Sequence, residues 1–129
     1  MIQVYDVLDH RVIDGDTVEV TLQLPFRIQV KYGCRIEGID CPERHTDEGA
    51  LLTYFLAEYL AEKELKARYI RDGKYSNRFV GDILFDDGKR LSHFLLTNNL
   101  AIPWPPKTPK PTWDDECLTK FNEGIQLLL

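Results

Sequence analysis

Asp14-Gly-Asp-Thr-Val-Glu-Val-Thr-Leu-Gln-Leu-Pro25, continued by Phe26-Arg-Ile-Gln-Val-Lys-Tyr-Gly-Cys-Arg-Ile36, decides how this chain folds. Val18, Val20, Leu22 and Leu24 alternate with Thr17, Glu19, Thr21 and Gln23, the period of two of a strand with one face in a core. Pro25 interrupts the run. Ile28, Val30, Tyr32, Cys34 and Ile36 resume it, with Gly33 read as a bulge or bend. This strand is predicted to run unusually far, to Gly38-Ile39-Asp40, where Pro42 stops the ladder. Upstream, Val4 to Ile13 is apolar and β-branched, and Asp14-Gly15 is a hairpin turn signal. Three long strands in succession read as the start of a strongly curved sheet.

Downstream, Asp47 and Glu48 are predicted to open a helix, since carboxylates favour the positive end of its dipole. Leu52, Phe55, Leu56, Tyr59 and Leu60 give it one apolar stripe. Ala67 to Ile70 reads as a short strand, 71–77 as a polar loop, and Arg78 to Phe85 as another strand closed by Asp86-Asp87-Gly88. A second helix carries Leu91, Phe94 and Leu95, and Leu100 to Ile102 reads as a last short strand. Pro103 to Pro111 is proline-dense and predicted to be extended. It is a surface connector, or else offers Trp104 as a stacking face for a base. Asp114 is the expected N-cap of a third helix, with Trp113 and Leu118 placed as a hydrophobic staple and Cys117, Leu118, Phe121 and Ile125 as its buried stripe. This order predicts one α+β domain over residues 1–129, mainly β: a small closed barrel with three helices. Its core spans about 3–104, its connector 103–111 and its last helix about 114–128.

A chain of 129 residues, 43% hydrophobic and 29% charged, is ordinary for one soluble domain. No apolar run approaches the roughly 20 residues of a membrane span. The N-terminus has no basic or apolar leader region, so the expected place of action is the cytoplasm. Cys34, Cys41 and Cys117 form no CxxC pair, which argues for reduced thiols rather than a disulfide framework or structural zinc. His10, His45 and His93 show no metal or triad spacing. The net charge of −5 is uneven: residues 1–59 carry −6, 60–110 carry +4 and 111–129 carry −3. The basic middle and modest total predict weak, salt-sensitive affinity for a nucleic acid rather than tight nonspecific binding.

Three carboxylates, Asp16, Asp40 and Glu43, and the guanidinium of Arg35 fall at the ends of neighbouring strands. Carboxylates brought together either take up protons or collect a cation. A hard divalent ion beside an arginine suits phosphodiester chemistry. Alone, Asp14 and Asp16 read as turn residues, Asp40 and Glu43 as caps before a helix, and Arg35 as a partner of Glu37. Their coincidence in register favours a site.

Ile13-Asp-Gly-Asp-Thr-Val18, Arg35-Ile-Glu-Gly-Ile-Asp-Cys-Pro-Glu43 and Lys74-Tyr75…Arg78 together resemble the three motifs of the staphylococcal nuclease (thermonuclease-like) family over roughly residues 3 to 104. The third reads Lys-Tyr-Ser-Asn-Arg, one residue longer than the usual Lys-Tyr-Gly-Arg, and Arg71 is the other arginine near that position. The resemblance implies a five-stranded OB-type barrel with three helices. It also implies a Ca²⁺-dependent phosphodiesterase that cuts DNA and RNA internally, leaving 3′-phosphates. Asp16, Asp40 and the carbonyl of Cys41 would hold the ion, Glu43 would handle the attacking water, and Arg35 and Arg78 would clamp the phosphate. Lys74 and Tyr75 would touch the neighbouring phosphate. A monomer without an obligate protein partner is expected, and phage or prophage deployment is compatible with activity inside a cell. The competing expectation is a non-catalytic OB-fold module that binds nucleic acid or protein. A structural role in an assembly would use the apolar Leu127-Leu-Leu129 end.

Overall fold

A computed structural model describes residues 3–129. The elements are β1 (Gln3–Asp14), β2 (Thr17–Gln23), β3 (Gln29–Ile36), β4 (Ile39–Asp40), α1 (Asp47–Leu60), β5 (Lys66–Asp72), β6 (Arg78–Phe85), β7 (Lys89–Arg90), α2 (Leu91–Thr97), β8 (Ile102–Pro103) and α3 (Asp115–Leu128). β1, β2 and β3 form the antiparallel series that the alternation predicts. β5 pairs with the start of β1, and β6 pairs antiparallel with β5. β6 then meets β3 in parallel, from Gly33 opposite Arg78 to Ile36 opposite Gly81. That pairing closes β1, β2, β3, β6 and β5 into a small five-stranded barrel of OB type, with three helices around it.

Val18, Val20, Cys34 and Ile36 point inward and are buried, in one cluster with Leu52, Leu56 and Leu60 of α1. The helix starts at Asp47, as expected, and Thr46 caps it: Gly49 N–H donates to Thr46 Oγ1 at 3.0 Å. Asp47 and Glu48 lie in the first turn. α3 has the expected cap, with Cys117 N–H donating to Asp114 Oδ1 at 2.9 Å. Trp113, read as a staple to Leu118, sets its ring edge-on to Phe121 at 6.0 Å. No helix among the described residues is long and apolar enough to cross a membrane.

Four local expectations change. β3 stops at Ile36, because Gly38 adopts a left-handed φ of +75° and turns the chain into β4. Gly33 lies in an unbroken ladder opposite Glu19 and is no bulge; its N–H donates to Asn77 O at 2.9 Å, where β6 arrives alongside β3. The last short strand is Ile102–Pro103, paired with β4. The proline-rich connector folds rather than extends: Trp104 Nε1 donates to Thr108 O at 3.0 Å, Thr108 Oγ1 donates to Pro105 O at 2.6 Å, and Lys107 turns at φ +62°.

Asp82 is a buried polar residue that the pattern did not single out. Its carboxylate accepts from the N–H of Ile83 and of Ser92, at 2.9 and 3.1 Å, and from the Ser92 hydroxyl. The start of α2 has no cap of its own, so Asp82 supplies one from the neighbouring strand. Burial raises its pKa. Asp82→Ala is expected to cost about 1–3 kcal/mol, since it leaves the Ser92 donors unmatched. Urea denaturation measures this, and a midpoint equal to that of the unaltered protein would refute the cap.

Candidate active site

The site is assembled at the barrel end that carries the β1–β2 turn. Asp16 N–H donates to Asp14 Oδ1 at 3.1 Å, which shapes that turn. Gly15 is buried there, and a Cβ would collide with Leu52 and Cys41. The absence of a side chain therefore lets the Asp16 turn lie directly against the segment after β4.

Asp16 is the centre of the arrangement. Cys41 N–H donates to its Oδ2 at 3.2 Å, and the Thr17 hydroxyl lies 3.4 Å from Oδ1. Arg35 Nη1 is 3.6 Å from Oδ2. Burial, reinforced by a hydrogen bond with the Asp14 carboxyl, lifts the Asp16 pKa from 3.8 to about 7, against the pull of Arg35. The same surroundings, burial first, push the Cys41 thiol far up, so it stays a neutral packing group. Cys34 is buried in the core as well, and Cys117 is half-buried.

Arg35 leaves β3 on the outside of the barrel, between the inward Cys34 and Ile36. Its Nη1 donates to Ile36 O and its Nη2 to Ile39 O, both at 3.0 Å. One guanidinium thus straps the turn that delivers Asp40. The Asp40 side chain is only 3% exposed, with Lys110 Nζ 3.7 Å from Oδ1. Trp113 Nε1 donates to its Oδ2 at 3.1 Å. Glu43 is on the surface, its side chain 56% exposed, with Lys110 Nζ at 3.3 Å. His45, expected as a surface residue, is exposed and sets Nδ1 3.4 Å from the other Glu43 oxygen. The Glu43 main chain is firmly held: its carbonyl accepts from the N–H and hydroxyl of Thr46, and a Cβ on Gly49 would strike it.

Asp16, Arg35, Asp40 and Cys41 are therefore brought together, with Glu43 beside them. Arg78 stands apart. It opens β6 opposite Gly33, on the outer face with Arg35 but two residues out of register, and its guanidinium lies 5.7 Å from the Tyr75 ring. Lys74 Nζ lies 5.9 Å from that ring too. The hollow of about 230 Å³ beside Arg35 is lined by Arg71, Val80 and Trp104 instead. Arg71 is paired with Glu37 at 2.7 Å. The Trp104 ring is already met by two cations, Arg35 at 5.8 Å and Lys110 at 5.9 Å.

Lys110 and Trp113 escaped sequence reasoning as site residues. They lie some 70 positions from Asp40, and no local period points at a carboxylate so distant. Among the described residues, no three His, Cys, Asp or Glu side chains group closely enough to hold a metal ion. Asp16 and Asp40 are hard oxygen donors of the kind Ca²⁺ takes, and each already has a neighbour: Asp16 accepts from Cys41 N–H, and Asp40 from Trp113 Nε1. The Lys110 ammonium between Asp40 and Glu43 marks a place that attracts positive charge. No protein-family model matches this chain, and no curated protein matches it either.

Proposed function

We propose that the chain is a divalent-metal nuclease of the staphylococcal nuclease type, hydrolysing DNA and RNA. The observation that carries this reading is the junction at Asp16, where one buried carboxylate joins Arg35 of β3 to the main chain of Cys41. Asp16, Asp40 and the Cys41 carbonyl would hold the ion. When bound, Ca²⁺ would supply Lewis-acid stabilisation of the phosphate and a template for it. Arg35 would offer the phosphate a planar fork of donors that matches its oxygens. Glu43 is solvent-exposed on a rigid backbone, suited to orient or deprotonate a water. Arg78 would approach from the adjacent strand, with Lys74 and Tyr75 on the next phosphate.

The decisive test incubates single- and double-stranded DNA and RNA with the protein, in Ca²⁺ or in EDTA, beside Glu43→Gln. Cleavage that needs the divalent ion and falls with Glu43→Gln is expected. Cleavage in chelator, or none with any divalent ion, would sink the reading. Arg78→Lys should lose activity while Arg71→Lys keeps it; the reverse would hand the clamp to Arg71.

A non-catalytic binding module is the second reading. Two observations favour it: Lys110 seats its ammonium on Asp40 and Glu43, and Arg35 commits both Nη groups to main-chain carbonyls. Such a module would shift DNA mobility without degrading it. On the nuclease reading, Lys110 instead competes with the ion. Lys110→Gln is then expected to tighten Ca²⁺ binding by about 1 kcal/mol, roughly fivefold, the upper range for a partly exposed pair. Titration calorimetry reads this directly, and weaker binding would show that Lys110 assists the site.

A further inference from the structure

A sizeable cavity lies away from the carboxylates, in the mouth of the barrel between the end of β2, the start of β3 and the 73–76 loop. It measures about 560 Å³, within the range of small-ligand sites. Inside a barrel, the last inward layer is ordinarily aliphatic. Here Tyr5, Tyr32, Tyr69 and Phe79 line the mouth, and Tyr75 stands at its rim, 57% exposed. Tyr5, Tyr32 and Tyr69 are half-buried and pack against the core. Tyr69 and Phe79 set their rings 6.0 Å apart and tilted. Asp72, the one acid lining the mouth among the described residues, is engaged by the Tyr69 hydroxyl at 2.7 Å. Two cations, Lys74 and Arg78, stand on the rim, both near the Tyr75 ring.

We infer that this mouth is a nucleobase site for single-stranded nucleic acid: a base stacks among the tyrosines while its phosphate lies on Lys74 and Arg78. An aromatic cup beside a cationic edge is the combination that holds a single strand without reading sequence, because every base has a stacking face and every link a phosphate. The site is separate from the hollow beside Trp104. Arg78 joins the two readings: it stands on the rim of the cup and on the outer face that Arg35 shares. A strand cut near Asp40 and Arg35 would therefore run past Arg78 with a flanking base in the mouth. The inference rests on the nucleic-acid reading above, not on cleavage.

The test uses the whole chain in EDTA, where cutting cannot intervene, and a fluorescent hexathymidylate read by anisotropy. Tyr32→Leu keeps apolar bulk and removes the stacking ring; binding is expected to weaken about tenfold, the low end of one lost stack. A hexamer lacking one internal base should lose a similar factor on the unaltered protein, an arm that needs no variant to fold. Photo-cross-links from an iodouridine hexamer should map to Tyr5, Tyr32, Tyr69 or Tyr75. Unchanged affinity in Tyr32→Leu, no measurable binding of the hexamer, or cross-links confined to Trp104 would overturn the cup. Cleavage in Ca²⁺ with no effect of Tyr32→Leu on binding would sink the cup alone. Binding that depends on the cup, without cleavage in any divalent ion, would sink the nuclease reading alone.

Discussion

On the nuclease reading, Arg35→Lys is expected to lower phosphodiester cleavage by about 10²–10³, or about 3–4 kcal/mol of transition-state stabilisation, the usual loss for one preorganised donor. Lysine keeps the charge but not the geometry. The two Nη groups of Arg35 reach Ile36 O and Ile39 O at once, with Asp16 Oδ2 at 3.6 Å. A single ammonium cannot span both carbonyls, so the turn into β4 loosens and the Asp40 carboxylate drifts. A stability loss of about 1–2 kcal/mol should accompany the slower rate, from main-chain carbonyls left unmatched. Single-turnover cleavage and urea denaturation, run on the same preparation, separate the two effects. A variant that retains more than a tenth of the rate would remove Arg35 from the chemistry. A binding module would show the stability loss and no cleavage in either protein.

The second large effect concerns Asp16. Its pKa is raised from 3.8 to about 7 by burial and by the Asp14 carboxyl. The folded chain therefore holds a proton that the unfolded chain releases near pH 4. Stability falls as pH rises from about 4 to about 7, and the penalty stays constant above that. At about 1.4 kcal/mol for each pH unit, its ceiling is on the order of 4 kcal/mol. Asp16→Asn carries no such penalty, and its amide oxygen can still accept from Cys41 N–H. Without divalent ion, Asp16→Asn should be the more stable protein at pH 8 and should lose its advantage by pH 4. On the nuclease reading, Ca²⁺ should reverse the order at pH 8, because only the carboxylate would gain from it, with a proton released on binding near pH 6. Melting temperatures of both proteins at pH 4, 6 and 8, with Ca²⁺ and with EDTA, provide the check. A gap between them that does not vary with pH would mean that Asp16 titrates alike in the folded and unfolded chain.

The alternation around Val18–Ile36 and the stripe at Leu52–Leu60 made the barrel strands and α1 legible, because period and capping act within a few residues. Asp114 announced α3 for the same reason. The misreadings occurred where a distant partner decides. Gly33 looks like a bulge until Asn77 arrives against it. The prolines of 103–111 favour extension, yet Trp104 and Thr108 fold them through two hydrogen bonds. At the site, Asp16, Arg35 and Asp40 could be named together because they fall in the β1–β2 turn and on the two strands that follow β2. Lys110 and Trp113 could not, since only the folding-back of the connector and α3 brings them onto Asp40. The barrel-mouth tyrosines were visible only as strand residues; that they line a space is a property of closure.

The parallel pairing of β3 with β6 also sets an order of events. It joins residues 33–36 to 78–81, on either side of α1 and β5 in the chain, while the pairs among β1, β2 and β3 are local hairpin contacts. Closing the longer loop costs more chain entropy, so the β3–β6 pairing is expected to follow the hairpins. Arg78 can therefore reach the face carrying Arg35 only once the ring is shut. A nascent chain released before β6 is made would hold its carboxylates and one arginine but no complete phosphate clamp. On the nuclease reading, the delay keeps the growing polypeptide inert towards the RNA from which it is being translated.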